Sequence, residues 1–112
     1  MGMPKSGVLL APTVAPSQTA LTSGVARTPS TTRPTLVVVT FDWNTVANSS
    51  GRTGTVTIDG VATDPVGVWN ADAVSGRRLG VTFAFIVRAN VAYTATASST
   101  SNLTLEATEW TL

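Results

Sequence analysis

The residue types that carry out most protein chemistry are scarce in this chain, which has no histidine and no cysteine. Without them, neither a serine–histidine pair, a thiol nucleophile nor a typical zinc site can form. A pair of carboxylates, as glycosidases use, stays open. Glu106 and Glu109 are three residues apart on a predicted strand, so their side chains point to opposite faces. We therefore expect that the protein is not an enzyme; the alternative is a carboxylate-dependent glycan hydrolase.

The charges and motifs of the sequence predict no cofactor, nucleic acid or membrane as a partner. No acidic loop has the spacing of a calcium site, and residues 51–54 lack the lysine–serine ending of a phosphate loop. The basic doublet at 77–78 is typical of a solvated turn, and a net charge of +1 is too small to indicate a phosphate-rich partner. The longest apolar runs, 36–39 and 83–87, are far shorter than the ~20 residues of a membrane-spanning helix.

The overall composition favours a protein that is covered by other polypeptides. Only 12% of the residues are charged, about half the usual share, whereas 43% are hydrophobic. A chain of 112 residues forms one small domain, which cannot bury all of its apolar side chains because its surface is large relative to its volume. Apolar patches left on the surface usually mark contact sites. We expect association with copies of itself or with a scaffold; the alternative is a monomer with a threonine-rich exterior.

Residues 1–34 are expected to form an extended, proline-rich arm. Five of the six prolines lie in this segment, and proline excludes long helices while favouring an extended path. The segment also carries more apolar residues than a solvated linker needs. We interpret it as an arm that lies in a groove on another subunit, and the alternative is a disordered leader.

Interface residues are expected towards both ends of the chain. Arg27 and Arg33 flank the start of the folded domain, where they could pair with carboxylates of a neighbouring subunit or stay unpaired on the surface. Trp110 could anchor an interface, although core packing is the general expectation for tryptophans 43, 69 and 110. The full set of interface candidates is Val8, Leu9, Leu10, Val14, Leu21, Arg27, Arg33, Trp110 and Leu112.

From residue 35 onward, apolar side chains recur with a period of two, which indicates β-strands. The run 35–43 is rich in β-branched residues and predicts a strand covered on both faces. Further strands are expected at 55–59, 61–63, 66–69, 78–88, 91–97 and 103–112. The pattern lacks an amphipathic helix. It predicts an all-β fold, an antiparallel β-sandwich or jelly roll over residues 35–112 with an extended N-terminal arm.

The connections between these strands are also predicted. Residues 44–54 and 98–102 are expected to be polar loops, and residues 70–76 a loop or a single helical turn. Asp59–Gly60 reads as a tight hairpin turn, because glycine accepts positive φ and aspartate tolerates it. In the last strand, apolar residues switch from one face to the other between Leu105 and Trp110, which suggests a bulge or a strand end that is buried against a neighbour.

Three stretches of this sequence resemble a β-sandwich domain found in phages of actinobacteria. Residues 28–40, with Thr-Arg-Pro-Thr at 32–35, resemble its entry, and residues 54–61 resemble its central hairpin. Residues 81–87, Tyr93 and 103–110 look like its last strands. In that group the domain occurs at the C-terminus of minor tail or fibre proteins, and in small capsid decoration proteins.

The resemblance implies a structural virion protein that acts as a homotrimer. A decoration, or cement, protein would be made in the host cytoplasm and would sit on the capsid surface, bound to the major capsid protein. Many identical sites give avidity without strong single contacts. The alternative that the resemblance implies is the tip domain of a tail or head fibre, which recognises the host.

Overall fold

The period-two pattern of the sequence forms antiparallel β-strands in the computed structural model, which describes residues 15–71 and 76–112. No helix occurs in these two ranges, and hence none that could cross a membrane. The strands pack as two sheets, which confirms the predicted all-β sandwich. They are β1 Ser17–Ala20, β2 Ala26–Arg27, β3 Thr35–Val46, β4 Ser50–Ile58, β5 Val61–Ala62, β6 Val66–Asn70, β7 Arg77–Val87, β8 Tyr93–Ala97 and β9 Leu103–Thr111.

Sheet A has the strand order β1-β9-β3-β7, and sheet B has β2-β8-β4, with β5 and β6 both paired to β4 at its far edge. The link between β1 and β2 crosses from one sheet to the other. The amide of Leu21 donates to Leu105 of sheet A, and the amide of Gly24 donates to Ala95 of sheet B. The β1–β2 side is therefore closed by this link, and β5, β6 and β7 occupy the opposite side, where β6 contacts β7.

The core lies between the sheets and is centred on β3. Alternate residues of this strand from Val37 to Trp43 point inward and have no exposed surface. The indole nitrogen of Trp43 donates a hydrogen bond of 2.8 Å to the carbonyl of Ser99, which satisfies its one polar atom. The outward residues Leu36 and Val38 are only half-buried. The residues that the structure describes thus bury one face of β3 fully and the other only in part, where the sequence predicted that both faces are covered.

The predicted loop over residues 44–54 is wrong. Residues 44–46 complete β3 and residues 50–54 begin β4, so that only a tight turn at residues 47–49 joins them. Ser49 takes the left-handed conformation of that turn, with φ of 56°. The glycines that suggested a loop fit the strand because large rings occupy the space beside them: Trp69 beside Gly51, and Phe41 beside Gly54.

The predicted turn at Asp59–Gly60 is confirmed. The two residues have φ of 51° and 79°, and positive φ at both central positions is what a type I′ hairpin turn requires. The strands on either side of the turn pair as expected, with Ile58 opposite Val61.

The last strand has no bulge. Residues Leu103 to Thr111 pair in unbroken register with Trp43 to Thr35 of β3. The change of apolar face arises because Glu109 takes an inward position and Trp110 points outward. The irregularity in sheet A lies instead in the β3–β7 pairing, between Trp43 and Val46.

The proline-rich segment is also shorter than expected as a separate arm. Residues 17–20 form β1 against β9, and residues 26–27 form β2 against β8. The sandwich therefore includes part of the segment that the sequence assigned to the arm.

The close packing of Gly54 against Phe41 gives a prediction about stability. Replacing Gly54 with alanine should lower the free energy of unfolding by about 1–3 kcal/mol, since the new Cβ would lie 3.0 Å from ring atoms of the fully buried Phe41. Urea denaturation measures this loss. Gly67→Ala is the matched control, because its Cβ would meet nothing closer than 3.8 Å. Equal losses in the two variants would contradict the packing argument.

Candidate interaction surface

A buried carboxylate joins the two sheets on the closed side of the sandwich. Glu109 of β9 is 5% exposed, and its side chain points between the sheets. From sheet B, Arg27 donates through Nε and Nη2 to the two carboxylate oxygens, at 2.8 and 2.7 Å. The hydroxyl of Tyr93 donates to Oε2 at 2.7 Å. Burying a charge costs free energy unless it is paired and hydrogen-bonded, and Glu109 meets both conditions.

The ionisation of these groups follows from that geometry. Burial alone would raise the pKa of Glu109, but the hydrogen bonds from Arg27 and Tyr93 outweigh it and hold the pKa below its ordinary value. Burial and the adjacent carboxylate raise the pKa of Tyr93, so its hydroxyl stays a donor. The hydrogen bond to Glu109 raises the pKa of Arg27. At neutral pH the cluster is therefore an ion pair with a neutral tyrosine attached.

This cluster changes the interpretation of two residues from the sequence. Arg27 was expected to pair with a carboxylate of a neighbouring subunit, or with nothing, and its partner is instead Glu109 of its own chain. Glu106 lies on the outer face of β9 while Glu109 lies on the inner face, as the strand spacing predicted. The two carboxylates therefore do not face a common substrate position. The inward placement of Glu109 was missed, because the sequence does not say which partner would neutralise it.

The other interface candidates near the closed side are held by their own chain. The side chain of Arg33 donates to the backbone carbonyl of Leu112, and the amide of Leu112 donates to Pro34 at 3.0 Å. Leu112 is only 6% exposed. Leu21 is half-buried and packs against the core. The remaining candidates of the arm, Val8, Leu9, Leu10 and Val14, lie outside the described residues.

The opposite side of the sandwich is open and apolar. Val61 and Val66 share the inward face of sheet B, because they pair with the inward residues Ile58 and Gly54, yet they are 70% and 45% exposed. From sheet A, Phe83 and Phe85 point inward from the edge strand β7 and are only partly buried. We call the side of the sandwich that bears Val61, Val66, Phe83 and Phe85 the lateral opening.

Ring contacts tie the lateral opening to the core. Phe83 packs edge-on against Phe41 at 5.8 Å between ring centroids, and Phe85 packs edge-on against Tyr93 at 5.3 Å. These contacts position the two phenylalanines against the core, while no strand within residues 15–71 and 76–112 covers them on the outer side. The lateral opening is therefore an apolar surface whose two aromatic rings are packed from within.

The outer face of sheet A carries a second apolar cluster at one end. Leu36 of β3 pairs with Ile86 on one side and with Trp110 on the other, so the three side chains form a row across the sheet. Ile86 is 59% exposed, and Trp110 is half-buried. The next row contains Val38 with Ala84. Trp110 thus lies on the outer face of sheet A, where it is half-buried, rather than in the core.

The outer face of sheet B is uncharged and rich in hydroxyl groups. Trp69 lies at one end of it, 61% exposed, with its ring directly over the backbone of Gly51. Of the three tryptophans, only Trp43 is fully buried, so the general expectation of core packing is wrong for Trp69. The paired strands β4 and β8 supply the hydroxyls, which belong to Thr53, Thr55, Thr57, Thr94, Thr96 and Ser98.

Comparison with known proteins adds no relative. No protein family, no curated protein and no solved structure matches this chain. Within residues 15–71 and 76–112, no three histidine, cysteine, aspartate or glutamate side chains lie together as metal ligands would. Any function must therefore be argued from the surfaces described above.

The buried ion pair predicts how stability depends on pH. Because the folded-state pKa of Glu109 is lowered, its contribution is fully present above the ordinary value of 4.5 and is lost as the pH falls through the folded-state pKa. Glu109→Gln should lower the free energy of unfolding at neutral pH by about 2–4 kcal/mol and flatten the acid dependence. Denaturant titrations from neutral to acid pH measure both effects.

Glu106→Gln is the matched control, because Glu106 lies on the outer face of the same strand. We expect its effect to stay within about 0.5 kcal/mol. A Glu109→Gln protein with unchanged acid sensitivity would show that the buried pair does not govern stability.

Proposed function

We propose that this protein is a structural virion component, a capsid decoration protein that binds the phage head as a homotrimer. The observation that supports it best is the lateral opening: partly exposed aromatic and aliphatic side chains that no described strand of the same chain covers. Such a surface suits permanent coverage by another polypeptide. The resemblance of residues 28–112 to decoration proteins suggests which polypeptides these are: other copies of the chain and the major capsid protein.

The distribution of charge supports contacts that are apolar rather than ionic. Glu109 is paired within the chain, as are Asp42 with Arg78 and Asp59 with Arg88. The apolar row on sheet A and the lateral opening contain no charged side chain. A partner would therefore be recognised mainly by shape and apolar contact, and binding should weaken little when salt is added.

Repetition offsets the small size of each contact. Apolar surface contributes roughly 25 cal/mol per Å² when it is removed from water, but association costs several kcal/mol in lost freedom. When a trimer binds three equivalent sites, its first contact loses most of the translational and rotational freedom. The second and third contacts then form at little further cost in freedom. This arithmetic favours a trimer over a monomer as the unit that binds a shell.

Light scattering and binding to undecorated heads test the proposal together. We expect three times the chain mass of 11.5 kDa in solution and co-sedimentation with heads at both low and high salt. Val61→Lys, at the lateral opening, should abolish trimer formation, head binding or both. Val25→Lys is the matched control, because Val25 is 58% exposed on the opposite, closed side. Wild-type protein that is monomeric in solution and does not co-sediment with heads would overturn the proposal.

A second function, host recognition by a fibre tip, is favoured by one observation. Trp69 is exposed beside a face of threonine and serine hydroxyls, and an aromatic ring with neighbouring hydroxyls is a typical surface for a sugar. On this alternative, Trp69→Ala should reduce binding to host cell walls at least ten-fold in a pull-down assay. Trp110→Ala is the control on the other sheet. Wild-type protein that does not bind cell walls would exclude this function.

A further inference from the structure

We propose that residues 5–11 of a neighbouring copy add as a strand to the free edge of β7 and cover the lateral opening. The inference rests on the proposed homotrimer and names the contact that would hold it together.

The edge of β7 that faces away from β3 is long. This strand runs over 11 residues and pairs only with β3 among the described strands. Proteins normally blunt a long edge with proline, lysine, bulges or a covering segment, since unpaired backbone groups invite another strand. Residues 79–87 contain no proline and no charge. An added strand would pair the backbone amides and carbonyls on this edge that no described strand pairs.

Both faces of this edge are apolar, which is unusual for an exposed strand. Ala84 and Ile86 point outward and are exposed, and Ile86 belongs to the row with Leu36 and Trp110. Phe83 and Phe85 point inward to the lateral opening. A strand that covers this edge must therefore carry apolar side chains at consecutive positions, not at alternate ones.

Residues 5–11 have that pattern. They form a stretch of seven residues without proline, between Pro4 and Pro12. Val8 and Leu10 would lie on one face of an added strand, and Leu9 with Ala11 on the other. One pair would fill the lateral opening, and the other would extend the apolar row on the outer face of sheet A.

Distance indicates that the strand comes from another copy. The described chain begins at Ala15, beside β1, at the opposite edge of sheet A from β7. A strand added to β7 lies four strand spacings from β1, about 19 Å. The four residue steps from residue 11 to residue 15 span at most about 14 Å. The arm of one chain is therefore too short to pair with its own β7, whereas the β7 of a neighbour is not limited in this way.

Disulfide trapping in the full-length chain tests this contact directly, because the protein has no cysteine of its own. Ala84→Cys is combined in turn with a cysteine at each of residues 7–11, and the purified proteins are oxidised and run without reductant. In a closed ring, each chain links to the next, so at least one pair should give a covalent trimer. Thr96→Cys, exposed on the outer face of sheet B, replaces Ala84→Cys as the control and should give none.

The other outcomes overturn the inference. Crosslinked monomers would mean that the arm folds back on its own chain. A covalent dimer from Ala84→Cys alone would mean that two β7 edges pair with each other. No trapping above the control, in a protein that light scattering shows to be a trimer, would reject the arm contact while leaving the proposed function standing.

Leu9→Pro supplies a second measurement with an independent readout. Proline keeps residue 9 apolar but cannot donate to a β-ladder, so the mass in light scattering should fall three-fold, to that of the single chain. Leu9→Val should remain trimeric, because valine both fits a strand and preserves the apolar surface. A Leu9→Pro protein that stays trimeric would overturn the inference.

Discussion

The buried ion pair between Arg27 and Glu109 is the constraint on which the rest of the sandwich depends. It joins residues that are 82 positions apart and connects the two sheets through a charge that has 5% exposure. A carboxylate in that position would be costly without its partners, so β2 has to lie where Arg27 can reach it. β2 has only two residues, and its two register pairs with β8 alone would hold it weakly. The ion pair therefore incorporates part of the proline-rich segment into the fold.

The two sides of the sandwich differ in how the sheets are joined: an ion pair joins them on the closed side, and on the other side the buried amide of Asn70 in β6 donates to the carbonyl of Val46 in β3. On the closed side, β1, β2 and the link between them cover the inner faces, and Arg33 and Pro34 hold the last residue, Leu112. On the other side, β5 is two residues long and pairs only at the end of β4. It is too short to cover the aromatic residues of β7 opposite it. The lateral opening thus results from the unequal distribution of strands between the two sides of the sandwich.

The strands could be predicted from sequence because their signal is local. Alternation at 55–59 and 78–88 identifies β4 and β7, and the positive φ required at Asp59–Gly60 identifies the hairpin. The failures come from interactions between distant residues. Gly51 and Gly54 suggest a loop in the sequence. In the structure they lie in a strand, because the rings of Trp69 and Phe41 occupy the space beside them.

The candidate surfaces were less predictable than the strands for the same reason. The exposure of Trp69 and the half-burial of Trp110 depend on which strand pairs with which, and a single sequence does not fix that pairing. The inward position of Glu109 follows from the β3–β9 register, and its stability follows from Arg27 in the other sheet. The spacing of residues along the strand indicates which face Glu109 occupies. It does not indicate that Arg27 of the other sheet pairs with Glu109 and so allows its burial.

The small number of charged residues determines what kind of partner the lateral opening and the adjoining β7 edge could select. Six of the charged side chains in the described residues are paired within the chain itself, in three ion pairs. Recognition of the proposed partner would then come mainly from shape, from apolar area and from backbone hydrogen bonds at the β7 edge. Backbone pairing is nearly independent of sequence, so specificity would rest on the side chains that flank it, Phe83 and Phe85 on one face and Ile86 on the other. A complementary strand must be apolar on both faces, and few solvent-exposed segments are. In the proposed assembly, this edge would therefore discriminate by excluding polar strands, and such modest selectivity would suffice for a partner that the assembly itself supplies at high local concentration.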